Sequence, residues 1–450
     1  MLTLWGRTTK ACDRQTRRDF LRIGTLGLSG LSLADVLRAK ASAASQTKPA
    51  KSVILYWVDG GPSHIDTYDP KPDAPAEFRG PFETIQSNVP GIQLSGLFEQ
   101  HARVMDKVSL VRSVHHDNAD HFAAAHWMLT GYLGSNAANL DPKYPSAGSI
   151  ITKLRGPNRP GVPAYVAIPY SMTIGLRPGY NSAAYLGVSY NPFDVGGDPN
   201  ADNFRVKNLN YANAMNSARL GDRRGLLASL DRLRSAVDRD RLMEGLDRFN
   251  QQAFDLVTGD RARQAFEIQR EDPRVRERYG RNVYGQSALL ARRLVEAGVT
   301  FVTVHNGGWD HHWNLESGLK NRVPALDQSI AALIEDLDER SMLDDTLVLV
   351  MGEFGRSPRM NDGRGQGKPG RDHWGGVMSV LIGGGGLRGG QVVGKSSPKG
   401  EYPIERPMMP ADVLATVYHV LGIDLNLSFV NRAGRPTAIN NNGQVIDELI

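Results

Sequence analysis

The stretch Thr346-Leu-Val-Leu-Val-Met-Gly-Glu-Phe-Gly355 reads as a buried strand that runs straight into a carboxylate, Glu353, between two glycines. A second run, Ser52-Val-Ile-Leu-Tyr-Trp-Val-Asp-Gly-Gly61, ends the same way in Asp59. In an open α/β sheet, sites assemble beyond the carboxyl ends of strands, so two acidic tips far apart in sequence are expected to share one crevice. The pattern points to a metal-binding hydrolase site.

Working outward, β-rich runs near 52–58, 108–112, 164–168, 299–304, 346–351 and 377–382 alternate with helical stretches. That alternation predicts an α/β fold with a mostly parallel central sheet covered by helices on both faces. Residues 220–275 are charged and helical by period, as in Leu226-Leu-Ala-Ser-Leu-Asp-Arg-Leu233, and read as a helical insertion with solvated arginines. Residues 170–215, rich in Tyr, Asn, Gly and Pro, read as irregular chain able to roof a site. The run Gly383–Gly386 is followed by no Lys-Ser/Thr and reads as a tight turn, not a phosphate loop.

The N-terminus reads as an address. Thr16-Arg-Arg-Asp-Phe-Leu-Arg22 precedes a moderately apolar stretch and then Ala41-Ser-Ala43, the pattern of a twin-arginine export signal with a small-residue cleavage site. A membrane anchor is disfavoured because Arg22, Asp35 and Arg38 interrupt the run. The expected division is a signal over 1–43 and one large domain over 44–450, in the periplasm or secreted. The twin-arginine machinery is then a partner, and no stable membrane anchor is expected.

Setting the signal aside removes eight of 53 basic and three of 48 acidic residues and leaves 45 of each. The formal charge of +5 therefore belongs to the signal, and no nucleic-acid partner is implied. The single cysteine, Cys12, lies there too, which rules out disulfide and thiol chemistry in the remainder. His, Ser, Thr, carboxylates and metal are left to do the chemistry. The histidines cluster: His64, His115, His116, His121 and His126; three from His305 to His312; and His373 in Gly370-Arg-Asp-His-Trp-Gly375. Carboxylates and histidines placed just beyond strands suit a divalent metal. Ser63 and Thr67 follow Asp59 closely but read as turn and helix-cap residues.

These residues carry a resemblance. Strand-Asp59, a helix ending in Leu129-Thr-Gly131, strand-Asp310, strand-Gly-Glu353-Phe-Gly, His373 and the closing helix Pro410 to Ile423 follow the order seen in the alkaline phosphatase and sulfatase superfamily. Four phrases, Asp59-Gly-Gly-Pro-Ser-His-Ile-Asp-Thr67, Gly308-Trp-Asp-His-His312, Gly352-Glu-Phe-Gly-Arg356 and Gly370-Arg-Asp-His-Trp374, resemble those of the exported family called domain of unknown function 1501.

The resemblance implies an alkaline phosphatase-like fold and metal-assisted hydrolysis of a sulfate or phosphate ester, on a small-molecule or glycan substrate. It implies Asp59, Asp310, His312, Glu353 and His373 as ligands of a divalent ion (Zn, Mn, Ca or Mg), with Asp372 beside His373. The superfamily's nucleophile position falls on His121, with neither the proline nor the arginine of the formylglycine motif after it, so that mechanism is not expected. His121 is expected as nucleophile, acid/base or ligand, and Arg356 as the anion holder or as support for Glu353 or Asp372. The rival is an exported binding protein that keeps the fold and has lost the nucleophile.

Overall fold

Eight strands pair in one sheet, six of them answering to the apolar runs: β1 (Ser52–Asp59), β2 (Val108–Val114), β3 (Tyr165–Ile168), β4 (Phe193–Asp194), β5 (Phe301–Gly307), β6 (Thr346–Met351), β7 (Met378–Gly384) and β8 (Val392–Val393), with β4 and β8 outside those runs. The computed structural model describes residues 49–206 and 260–450. The expected export signal, residues 207–215 of the expected irregular stretch and residues 220–259 of the expected insertion lie outside the described residues. From 260 to 275 the chain forms a helix at Asp260–Phe266 and enters another at Pro273–Tyr279.

The sheet order is β8-β2-β7-β6-β1-β5-β3-β4. Neighbours are parallel except at β7, which runs antiparallel to both β2 and β6. Helices α1 (His121–Thr130), α2 (Ala147–Arg155), α3 (Val283–Ala297), α4 (Leu315–Glu339) and α5 (Pro410–Val420) cover it. Because strand side chains alternate, β1 splits between two cores. Ile54, Tyr56 and Val58 pack with α3 and α4, and Val53, Leu55 and Trp57 pack with α1, α2 and α5. Every residue of β1 and β6 is buried, which is why both read as continuous apolar runs and not as alternating ones. Each buried Val, Leu or Ile contributes about 1.5–3 kcal/mol, enough in sum to carry some buried charge at the sheet edge.

The topology places the site. β1, β2, β5 and β6 end at one edge, and β7, being reversed, begins there. The segments after β1, β2, β5 and β6 and the segment before β7 therefore gather at a single rim. The Gly383–Gly386 run does turn tightly, with φ of +71°, +64° and +84° at Gly384, Gly385 and Gly386. Among the described residues no helix is long and apolar enough to cross a membrane.

Candidate functional site

His121 opens α1 as its first helical residue, just after Asp120, whose carboxylate caps the helix by accepting from Ala123 N. Its Nδ1 donates to Glu353 Oε1 at 2.7 Å, and its Nε2 lies 3.4 Å from Asp310 Oδ2. Glu353 is fully buried and also accepts from Gly60 N at 3.0 and 3.2 Å, so the tip of β6 is tied to the tip of β1. Asp310 stands three residues beyond β5. His373 lies in a two-residue antiparallel ladder with Gly355–Arg356.

Two further histidines face the same carboxylate. His312 Nε2 and His373 Nε2 lie 3.1 and 3.2 Å from Asp310 Oδ1 and 2.9 Å from each other. Their other ring nitrogens are committed: His312 Nδ1 to Asp372 Oδ1 at 2.8 Å and His373 Nδ1 to the Ala119 carbonyl at 2.8 Å. Carboxylates and carbonyls only accept here, so each Nδ1 carries a proton and each Nε2 is left to face Asp310. The same holds at His121, whose Nδ1 is bound to Glu353. Three Nε2 atoms thus converge on one carboxylate, a cluster that is repulsive unless protons or a cation lie among its members. Ligand atoms around a tetrahedral ion at ~2.0–2.1 Å stand ~3.3 Å apart, close to these separations. His121, Asp310 and His373 each offer a ligand atom within 4.8 Å of the others. A histidine whose second nitrogen is held by a carboxylate or carbonyl is the usual form of a metal-bound imidazole.

Not every expected residue joins this set. Asp59 is close behind it, yet its oxygens accept from the Trp57 indole at 2.8 Å, from Ile174 N at 2.9 and 3.1 Å, and from His305 Nε2 at 3.0 Å. The irregular segment after β3 thus reaches the rim through Ile174. Glu353 is turned to His121 and Gly60. Arg356, fully buried, is not open to an incoming anion: it donates through Nε to Gly61 O at 2.8 Å, through Nη1 to Arg371 O at 3.2 Å, and through Nη2 to Gly60 O and, at 2.6 Å, to Asp310 Oδ1. Ser63 Oγ donates to Asp66 and Thr67 Oγ1 to the Ser63 carbonyl, as turn and cap chemistry requires.

Protonation follows the geometry. Burial opposes charge on His121, but the Asp310 and Glu353 carboxylates outweigh it and push its pKa up to about 9. Burial works the same way against Asp310, and His121, His373 and Arg356 overcome it to hold that carboxyl well below the usual range. Burial lifts Glu353, against the pull of His121. Sequence reasoning placed His305 in its histidine cluster without a role and missed Ala119 O and the inward turn of Arg371, because no spacing rule marks a backbone carbonyl or an arginine turned inward.

Among curated proteins, no sequence matches the chain. It is similar to several solved structures. A sulfatase from Pseudoalteromonas sp. is 12% identical, with 90% of this chain and 72% of that one covered at a TM-score of 0.38. The lipoteichoic acid synthase LtaP from Listeria monocytogenes is 10% identical over 84% of this chain and 73% of that one, at 0.39. An alkaline phosphatase from the Antarctic bacterium TAB5 is 12% identical over 83% and 99%, at 0.37. The model of the family described as "Protein of unknown function (DUF1501)" matches residues 50–450, and the chain belongs to that family.

Proposed function

We propose that this protein is an exported, metal-dependent hydrolase of sulfate or phosphate esters, with His121, Asp310, His312 and His373 as the donor set for one divalent cation. The observation that carries the reading is the convergence of three imidazole Nε2 atoms on Asp310 while every Nδ1 is held by an acceptor. So nitrogen-rich a set suits zinc or another first-row ion, whereas calcium and magnesium prefer all-oxygen surroundings. The order of strand-tip motifs, which resembles the alkaline phosphatase and sulfatase superfamily, suggests the ester. A bound cation supplies Lewis acidity toward an ester oxygen.

The chain's own groups do the rest. Glu353 keeps the proton on His121 Nδ1, and Asp372 does the same for His312, so both rings stay turned to the rim. Arg356 holds Asp310 in place and offsets part of its charge. The hydroxyls of Ser63 and Thr67 are engaged elsewhere, which leaves water as the attacking group. The export reading rests on Arg17-Arg18; replacing both with lysine should leave precursor in the cytoplasm, and undiminished export would contradict it.

The test is metal analysis of protein exported by its native host, followed by a screen of sulfate and phosphate esters. Stoichiometric metal with turnover on one ester class supports the proposal. Metal without turnover favours the non-catalytic rival, and absence of metal at saturating zinc removes both the centre and the mechanism.

A further inference from the structure

Three of the four donor residues stand off the long strands and helices. Asp310 and His312 lie between the end of β5 and α4, and His373 follows the long segment 357–372, with only a two-residue ladder to steady it. Ligand atoms must be held within about 0.5 Å for tight binding, and loops do not give such precision unaided. Something else has to set the spacing of the two imidazoles.

Arg371 is placed to do so. It is fully buried, and all five guanidinium donors have acceptors. Nε donates to Asp66 Oδ2 at 2.7 Å and Nη2 to Asp66 Oδ1 at 3.4 Å. Nη2 also donates to Phe78 O at 2.7 Å, and Nη1 to Ser357 O at 3.0 Å and to Pro358 O. Asp66 is buried too and accepts at 2.5 Å from Ser63 Oγ. The main chain of Arg371 completes the link: its N–H donates to His311 O at 3.1 Å, one residue before His312, and its carbonyl accepts from Arg356. One residue earlier, Gly370 lies so close to His312 that an added Cβ would come within 2.3 Å of the His312 carbonyl carbon and oxygen.

We infer that the Arg371–Asp66 pair is a positioning device for the metal centre: it locks the segment that carries Asp372 and His373 against the one that carries His312, and both to the loop after β1. This rests on the metal reading above only in that His312 and His373 are ligands. Neither Arg371 nor Asp66 touches the donor atoms. Their effect is on the geometry in which the ligands meet.

The experiment is zinc binding to metal-stripped protein, measured by competition with a chromophoric chelator, alongside the thermal midpoint of the metal-free form. Two variants are compared with wild type. Arg371→Lys keeps the charge opposite Asp66 but lacks the planar fork that reaches three carbonyls. The double variant Asp66→Leu/Arg371→Met removes both charges together, a change that commonly leaves a fold intact where removing one partner would not. A positioning role predicts zinc affinity about 10–100-fold weaker in both variants, with the metal-free midpoint of the double variant close to wild type. A purely structural role predicts a shifted midpoint and wild-type zinc affinity, which would overturn the inference. If the double variant does not fold, zinc affinity of Arg371→Lys decides by the same criterion. Wild-type protein that binds no zinc would sink the metal reading itself, a result distinct from equal binding by wild type and variants.

Discussion

Asp59 and Asp310 are both carboxylates just beyond a strand, and only their partners separate their roles. Asp59 is saturated by N–H donors from Trp57, Ile174 and His305, whereas Asp310 faces three imidazole Nε2 atoms and Arg356. Asp59→Asn is therefore expected to leave zinc stoichiometry unchanged while weakening the turn at Ile174; loss of zinc in that variant would return Asp59 to the ligand set. His121 gives a pH test with a definite sign. With its pKa near 9 in the metal-free protein, it is protonated below that pH, and a cation must displace the proton. Zinc affinity should rise by up to about tenfold per pH unit between 6.5 and 9 and then level off, as competition titrations would show. A flat profile would mean that His121 is not a ligand. Asp310, His312, Glu353 and His373 were expected as site candidates through the resemblance that their phrases carry. Which of them face inward was not legible, because a strand-tip carboxylate reads the same whether it meets an ion, an imidazole N–H or a backbone amide.

At the scale of elements, the six longer strands were legible because strands buried on both faces leave uninterrupted apolar runs, as at 52–58 and 346–351. The two-residue strands β4 and β8 carry no period, and nothing in the composition of β7 tells its direction. Yet the reversal of β7 is what brings the His373 segment to the same rim as the strand ends. The tips are in backbone contact there: Trp309 N donates to Asp59 O at 3.2 Å, and Gly60, at φ +119°, has no room for a side chain. A Cβ on Gly60 would lie 2.7 Å from the backbone nitrogens of Trp309 and Asp310. Gly60→Ala must therefore push the tip of β1 away from the segment that bears Asp310. The expected result is zinc binding weakened by at least tenfold, by analogy with the loss of a group that orients ligands, together with a lowered thermal midpoint. Unchanged zinc affinity would show that Asp310 is held independently of β1.

For the molecule as a whole, stability should pass through a maximum near neutral pH when metal is absent. Burial lowers His64 and His126 to about 4, below the ~6.5 of an unfolded chain, so the unfolded state gains protons first as pH falls. Each then costs up to about 3 kcal/mol as pH drops from 6.5 toward 4. His121 works in the other direction: its raised pKa stabilises the fold fully below pH 6.5, and that contribution is lost as pH rises through about 9. Thermal midpoints of metal-free protein across pH 4–10 should fall on both sides, and zinc should remove the alkaline decline by taking the place of the proton. The central claim, that three imidazoles and one carboxylate hold one cation at the rim of the sheet, is tested most directly by anomalous diffraction at the zinc edge from zinc-loaded crystals. The account predicts one strong peak bounded by Nε2 of His121, His312 and His373 and an oxygen of Asp310 at ~2.0–2.2 Å. A peak bounded by Asp59 and Glu353, or no ordered zinc among these four residues, would contradict it.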